Sequence, residues 1–165
     1  MSRATHQTSI VDVAVCVVVD KMSPVASAHE GDNCTPAATV SSRNAPRVLI
    51  TRRKAEQVLG GYWELPGGKV EPDESPSDAA VRELHEEVGI EVKPIHALAP
   101  TDHRYDHAHV RLIPFVCEHI GGTPKPLHVD EVRWVAPNRL VGYPFPEASL
   151  PVIADFLRWL DSTAR

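Results

Sequence analysis

The segment from Gly68 to Ile90, GKVEPDESPSDAAVRELHEEVGI, limits the fold more than any other part of the chain. Ser75 and Pro76 suit the first positions of a helix, and Gly89 suits the left-handed residue at which a helix ends. Between these limits, apolar residues recur at four-residue spacing, at Ala80, Leu84 and Val88. This spacing predicts an amphipathic helix with one face against a hydrophobic core.

Three glutamates, Glu83, Glu86 and Glu87, share the opposite side of this predicted helix. Carboxylates three and four residues apart are neighbours on a helix surface and repel each other. The face is therefore either a solvated acidic surface or a site for a divalent cation, because Mg²⁺ and Mn²⁺ prefer oxygen ligands. The helical pattern alone leaves both interpretations open.

Further residues stand at fixed spacing around these glutamates. Gly68 comes first, Glu74 follows it, Arg82 directly precedes Glu83, and Gly89 comes before an aliphatic residue. The arrangement resembles the Nudix box, G-x5-E-x7-R-E-U-x-E-E-x-G-U with U aliphatic, and matches it at every fixed position. The resemblance implies an α/β fold, the Nudix α/β/α sandwich with a mixed β-sheet between helices.

The resemblance also implies a cofactor, Mg²⁺ with Mn²⁺ as a substitute, and the residues that hold it. The implied metal ligands are the carbonyl of Gly67 and the carboxylates of Glu83, Glu86 and Glu87. By the same resemblance, Arg82 holds Glu83 in place. The general base is either Glu83 or a late acid such as Glu131, with Asp130 as the rival of Glu131.

Substrate contacts are predicted outside the box. Resemblance to the MutT branch of the family puts Arg53 at a substrate-contacting position and Lys69 near the phosphates. Ser149 stands where that branch has an asparagine that recognises oxidised guanine, and a serine offers only one rotatable hydroxyl to a base. Ser149 also suits the N-cap of a last helix. Its role therefore stays open.

The implied reaction is the Mg²⁺-dependent hydrolysis of a nucleoside triphosphate to the monophosphate and pyrophosphate. The MutT branch suggests 8-oxo-dGTP, or a pyrimidine triphosphate, as substrate and nucleotide-pool sanitation as purpose. Two alternatives remain. One is a Nudix hydrolase acting on ADP-ribose, a nucleotide sugar or a dinucleoside polyphosphate. The other is a non-catalytic nucleotide- or lesion-binding module, which the full set of box glutamates disfavours.

The remaining elements follow from apolar patterning. Strands are predicted at Ile10 to Val19 in the centre of the sheet, at Arg47 to Arg53, at Glu91 to Ala97 on an edge or with a bulge, at His109 to Ile120 and at Val129 to Val135. The tail predicts a helix with a buried face formed by Leu150, Ile153, Leu157 and Leu160. The histidines 103, 107 and 109 fit surface or substrate-loop positions better than a zinc site.

Length and composition predict one domain over residues 1–165, with a flexible insertion at about 22–46 that is rich in Ser, Ala and Pro. A net charge of −5 argues against stable nucleic-acid binding, and no apolar run is long enough for a membrane span. Cys16, Cys34 and Cys117 fit reduced thiols. We therefore expect a cytoplasmic monomer or homodimer whose partner is a small nucleotide.

Overall fold

A computed structural model describes residues 9–20, 45–106 and 108–163. The elements in chain order are β1 (Ile10–Val19), β2 (Val48–Arg52), β3 (Trp63–Glu64), β4 (Gly67–Lys69), α1 (Pro76–Val88), β5 (Glu91–Ala97), β6 (Thr101–Tyr105), β7 (Ala108–Gly121), β8 (Glu131–Val135), 3-10 turns at Pro137–Gly142 and Glu147–Ser149, and α2 (Leu150–Thr163). Apart from residues 45 and 46, the predicted insertion at 22–46 lies outside the described residues, as do Cys34 and His107.

Within the described part of the chain, eight strands form one mixed sheet in the order β3-β2-β1-β7-β5, with β4 on β1, β6 on β7 and β8 on β2. Strands β1 and β7 run parallel from the pair Ile10 and His109 to the pair Val19 and Glu118. The other pairings are antiparallel. The nearly continuous apolar sequence of β1 fits its central place, because both of its faces are covered.

The two helices pack on opposite faces of this sheet. Alternate β1 residues such as Cys16 face α1, where Leu84 and Val88 are buried in the same cluster. The intervening residues, such as Val17, face α2 and its buried Phe156. Successive side chains of a strand point to opposite faces, so one strand contributes to both cores. The predicted α/β/α sandwich is confirmed.

Strand β6 was not predicted, because its sequence TDHRY is polar. It pairs antiparallel with the first part of β7, from Thr101 opposite Leu112 to Tyr105 opposite Ala108. Strand β5 pairs with the later part of β7, with an irregularity near Pro94, as expected for a proline-containing edge strand. The long β7 thus offers one edge to two short strands. Backbone hydrogen bonds and the ion pair between Asp102 and Arg111 hold the polar β6 there.

The start of α2 differs from prediction. Leu150 is 52% exposed, so its predicted place on the buried face is wrong; Ile153 is buried as predicted, together with Val152. The backbone N–H of Ser149 donates to the carbonyl of Pro146, which places Ser149 inside a helical turn. The proposed N-cap at Ser149 is therefore also wrong, because the turn begins two residues earlier. Among the described residues, neither helix has the length and apolarity that a bilayer span requires.

Candidate active site

A cavity of about 640 Å³ lies where β1 and β7 meet the Gly-Gly turn and α1. Its walls combine apolar side chains of the two strands, such as Val13 and Leu112, with the charged side chains of Lys69, Glu83 and Glu87. Pockets of this size accept ligands as large as a nucleotide. The cavity therefore brings the predicted acidic helix face next to an apolar surface.

Helix α1 begins and ends as its sequence predicts. The hydroxyl of Ser75 accepts a hydrogen bond from the Asp78 N–H at 3.1 Å, and Gly89 ends the helix with φ 70°. Because Leu84 and Val88 are fully buried, the helix is fixed about its axis, and Glu83 and Glu87 line the cavity. Glu86, with its side chain 49% exposed, is not among the lining residues.

Strand β4 approaches both carboxylates closely at Gly67 and Gly68. The Gly67 N–H donates to Glu87 Oε2 at 3.2 Å. A Cβ at residue 68 would lie 2.1 Å from Cδ of Glu83, so a side chain there would displace this carboxylate. At Gly67, φ is 153° and a Cβ would lie 2.1 Å from the carbonyl oxygen of Ala14. The absence of a side chain at both positions therefore permits these close contacts.

Arg82 connects the turn to the acidic face. Its Nη1 lies 2.9 Å from Glu83 Oε1 and 3.4 Å from Glu86 Oε2, while its Nη2 donates to Glu74 at 2.8 Å and to the Lys69 carbonyl at 3.1 Å. The hydrogen bond from Arg82 lowers the pKa of the Glu74 carboxyl below its usual range. Arg82 thus contacts Glu83 as the sequence suggested, and it also holds Glu86.

Glu87 is the most electrostatically perturbed carboxyl of the cavity. Burial raises its pKa to about 8, with further contributions from the charges of Glu64 and Glu83, and the Gly67 N–H and Arg53 oppose the rise. Burial also raises the pKa of Glu64, against the effect of Arg53. Ionising several neighbouring, partly buried carboxylates at once is unfavourable. A cation that neutralises their charge would therefore bind favourably.

Arg53 lines the same cavity but is bound to a residue that was given no role by the sequence. Its Nη1 donates to Glu64 Oε2 at 2.7 Å. Its buried Nε has no hydrogen-bond partner among the described residues. Leaving a buried donor unpaired costs on the order of 1–3 kcal/mol. Arg53 therefore retains unused hydrogen-bonding capacity close to the acidic face.

The two acidic residues that were proposed as alternative general bases, Asp130 and Glu131, lie outside the cavity lining. Asp130 and Glu131 both pair with Arg52, at 2.7 Å and 3.1 Å, and Glu131 also pairs with Arg133. Neither carboxylate is among the residues that line the cavity. The structure thus brings Arg53, Lys69, Gly67, Glu83, Glu87 and Ser149 together around one cavity and leaves Glu86, Arg82 and Glu131 outside its lining.

The sequence predicted no role for several lining residues, among them Glu64, Tyr105 and His128. Glu64 stands in the segment GYWELPGGK, where its place before the Gly-Gly turn was a usable signal. Tyr105 belongs to the unpredicted strand β6. His128 lies in a loop between two prolines and β8, and no local pattern marks it. Only the folded arrangement reveals the last two.

The donor chemistry of the site fits a hard divalent cation. Carboxylate oxygens and a backbone carbonyl are the ligands that Mg²⁺ and Mn²⁺ favour. Burial and the charges of Glu64 and Glu83 raise the pKa of Glu87, so a cation bound beside it would favour its ionised form. Across residues 9–20, 45–106 and 108–163, no three His, Cys, Asp or Glu side chains converge as a ready-made metal cluster. The contacts of Arg82 with Glu83 and Glu86 account for part of this, because they keep two of the predicted ligands on the guanidinium.

Comparison with known proteins identifies the family of the chain. A family model described as the NUDIX domain matches residues 37–155. The chain belongs to the Nudix family. Nudix proteins generally use divalent metal ions and act on small nucleotide substrates, and this chain is a Nudix hydrolase of the pyrophosphohydrolase class.

Two curated Nudix relatives come from Escherichia coli (strain K12). The chain is 32% identical to CTP pyrophosphohydrolase over 111 residues, covering 67% of this chain and 82% of the relative. It is 34% identical to 8-oxo-dGTP diphosphatase over 111 residues, covering 67% and 86%. The crystal structure of the MutT protein from Methanosarcina mazei Go1 shares the fold, with a TM-score of 0.70 at 20% identity over 96% of this chain and 99% of that one.

Proposed function

We propose that the chain hydrolyses a nucleoside triphosphate to the monophosphate and pyrophosphate, with Mg²⁺ as cofactor, and that it removes damaged nucleotides such as 8-oxo-dGTP from the nucleotide pool. The observation that carries this proposal is the single cavity in which Glu83 and Glu87 stand beside Arg53 and Lys69 and an apolar strand surface. The two Escherichia coli relatives, whose names give nucleoside triphosphates as substrates, support the same class.

In this proposal the Gly67 carbonyl, Glu83, Glu86 and Glu87 would hold the metal. Glu86 would first leave Arg82, to which it is bound at 3.4 Å, and turn towards the cavity. A bound Mg²⁺ would neutralise part of the diphosphate charge and lower the pKa of a coordinated water. The missing side chain at Gly68 leaves the space that the Glu83 carboxylate occupies beside the site.

The chain's own residues then position the reactants. Lys69 and Arg53 would bind phosphate oxygens, and an arginine can do so through two parallel hydrogen bonds. Water attacks one phosphorus, the bridging P–O bond breaks, and the proton lost by the water passes to a carboxylate. Glu83 fits the role of this general base better than Glu131, because Glu83 lines the cavity and Glu131 is held by Arg52 and Arg133.

The nucleobase would lie against the apolar part of the cavity. Val110 and Leu112 of β7 and Ala148 of the 3-10 turn offer a flat surface without charge, and Ser149 brings a hydroxyl to the same lining. A hydroxyl can donate or accept one hydrogen bond to a base edge. Ser149 therefore remains the residue that we propose for base contact, with a weaker constraint than an amide would give.

Product analysis tests this proposal. The purified protein is incubated with Mg²⁺ and a panel of normal and oxidised (d)NTPs, ADP-ribose, a nucleotide sugar and diadenosine tetraphosphate, and the products are separated by anion-exchange chromatography. We expect a (d)NTP to yield its monophosphate and pyrophosphate, with loss of turnover on addition of a chelator. Turnover of ADP-ribose or diadenosine tetraphosphate alone would contradict the triphosphate assignment, and binding without turnover would favour the non-catalytic module.

A further inference from the structure

His128 is the imidazole that the fold brings to the cavity, among the residues that the structure describes. The residue is exposed, yet it is part of the lining that includes Glu83 and Glu87. It therefore lies at the rim on the acidic side, where the phosphate chain of a nucleotide would pass. No local sequence pattern predicted a role for His128.

The backbone around His128 is fixed by the end of α1. The N–H groups of Leu127 and His128 both donate to the carbonyl of Glu87 at 3.1 Å, and the N–H of Lys125 donates to the carbonyl of Val88 at 3.0 Å. These bonds satisfy carbonyls that the last helical turn leaves free. On the other side, the buried Val129 anchors the segment in the core beneath α1. The position of His128 relative to Glu87 is thus set by the backbone.

The competing late residues cannot reach the cavity without breaking ion pairs. Asp130 and Glu131 are held by Arg52, and Arg133 holds Glu131 a second time. His128 precedes both of them in sequence and, unlike them, is among the residues that line the cavity. At this rim the loop before β8 therefore offers a hydrogen-bond donor. A carboxylate in the same place would repel phosphate oxygens.

We propose that the imidazole of His128 donates a hydrogen bond to the phosphate chain of the bound substrate. This inference rests on the proposed function for the identity of the substrate and adds one phosphate-contacting residue to it. An imidazole donates an N–H whether it is neutral or protonated. The contact complements Lys69 and Arg53, since part of the donor capacity of Arg53 is already used by Glu64.

Binding measurements on four proteins test the contact. Wild type, His128→Ala, His128→Gln and Leu127→Ala are titrated calorimetrically, in the presence of Mg²⁺, with an α,β-methylene (d)NTP and with inorganic tripolyphosphate. A hydrogen bond to a charged phosphate predicts that His128→Ala weakens both ligands by roughly 10- to 100-fold. His128→Gln keeps an N–H donor and should recover most of the affinity. Leu127→Ala is the matched control, because Leu127 shares the Glu87 anchor but is 50% exposed and does not line the cavity.

A third measurement separates phosphate contact from metal binding. Mn²⁺ affinity without nucleotide is followed by electron paramagnetic resonance and should be the same in wild type and His128→Ala. Unchanged ligand affinity in His128→Ala, or a loss of Mn²⁺ affinity, would overturn the inference. If His128→Ala weakens tripolyphosphate binding but wild type binds no nucleotide, the inference stands and the proposed function fails. If nucleotide turnover is found and His128→Ala binds like wild type, only the inference fails.

Discussion

Glu87 combines three properties that a surface glutamate lacks. It is largely buried, it faces the carboxyls of Glu64 and Glu83, and it accepts a hydrogen bond from the Gly67 N–H. Burial and like charge disfavour ionisation, whereas the hydrogen bond favours it, and the first two dominate. The spacing of the box predicted that Glu87 belongs to an acidic face. It could not predict Glu64 as a neighbour, because that contact depends on how β3 and α1 meet across the Gly-Gly turn.

This arrangement predicts an unusual pH dependence of the metal-free protein. The pKa of Glu87 rises from 4.5 to about 8 in the folded state. Between these values the folded state binds more protons than the unfolded state, so the free energy of unfolding should fall as the pH rises through this window. Glu87→Gln removes the buried charge, and at about pH 8.5 it should be more stable than wild type by roughly 1–3 kcal/mol. Urea denaturation in a chelating buffer at pH 5 and pH 8.5 measures this difference.

Two controls accompany this measurement. Glu86→Gln changes a side chain that is 49% exposed, so its stability should follow that of wild type at both pH values. Addition of Mg²⁺ at pH 8.5 should stabilise wild type and leave Glu87→Gln nearly unchanged, because a bound cation offsets the buried carboxylate. Parallel pH curves for wild type and Glu87→Gln would show that Glu87 is not a buried, perturbed carboxyl.

At the scale of elements, the place of β4, which pairs with β1 and contacts α1, decides how the acidic face meets the sheet. Local signals were sufficient for α1, because Ser75 and Gly89 mark its two ends and both act as caps in the structure. Local signals failed for β6, whose polar residues show no apolar alternation and pair with the beginning of β7, the next strand in the chain. They also misplaced Leu150, the first residue of α2, which follows a 3-10 turn and is 52% exposed. Elements defined by their own residues are thus predictable, and elements defined by a partner are not.

The two glycines of β4, Gly67 and Gly68, should respond differently to the same substitution. In Gly68→Ala the new Cβ meets the flexible end of the Glu83 side chain, which can move away. We expect a stable protein that loses at least about 100-fold in turnover, because a displaced ligand or base costs several kcal/mol of transition-state stabilisation. In Gly67→Ala the Cβ meets the backbone carbonyl of Ala14 in the central strand, at φ 153°, which no side-chain motion relieves.

Thermal unfolding and steady-state kinetics of both variants test this difference. Gly68→Ala should unfold within a few degrees of wild type but show low activity, since only a side chain is displaced. Gly67→Ala should lose roughly 2 kcal/mol or more of stability, because the strain falls on the pairing of β4 with β1. An active Gly68→Ala would indicate that Glu83 functions from another position and that the close contact with the turn is not needed for the reaction.

At the scale of the whole molecule, the chain builds two cores around one sheet. The core under α1 contains Leu84, and the core under α2 contains Phe156, both fully buried. The apolar runs of β1 and β7 predicted a central position for β1, and the helical spacing in α1 and α2 predicted two packed helices. Only the structure shows which strand residues face α1 and which face α2. A continuously apolar strand has no polar side from which this could be predicted.

The sharing of β1 and β7 by both cores predicts cooperative unfolding of the whole described domain. Phe156→Ala leaves a cavity under α2 and should lower the free energy of unfolding by about 3–5 kcal/mol. Because the sheet is common, the slowest-exchanging amides of α1, on the far face, should lose as much protection as those of α2. Leu150→Ala is the matched control on the same helix, since Leu150 is 52% exposed and its truncation should cost less than about 0.5 kcal/mol. Native-state hydrogen exchange measures both regions at once. If Phe156→Ala weakened only the amides of α2, the two faces would unfold independently, and the acidic helix with its glycine turn would be a unit whose stability does not depend on α2.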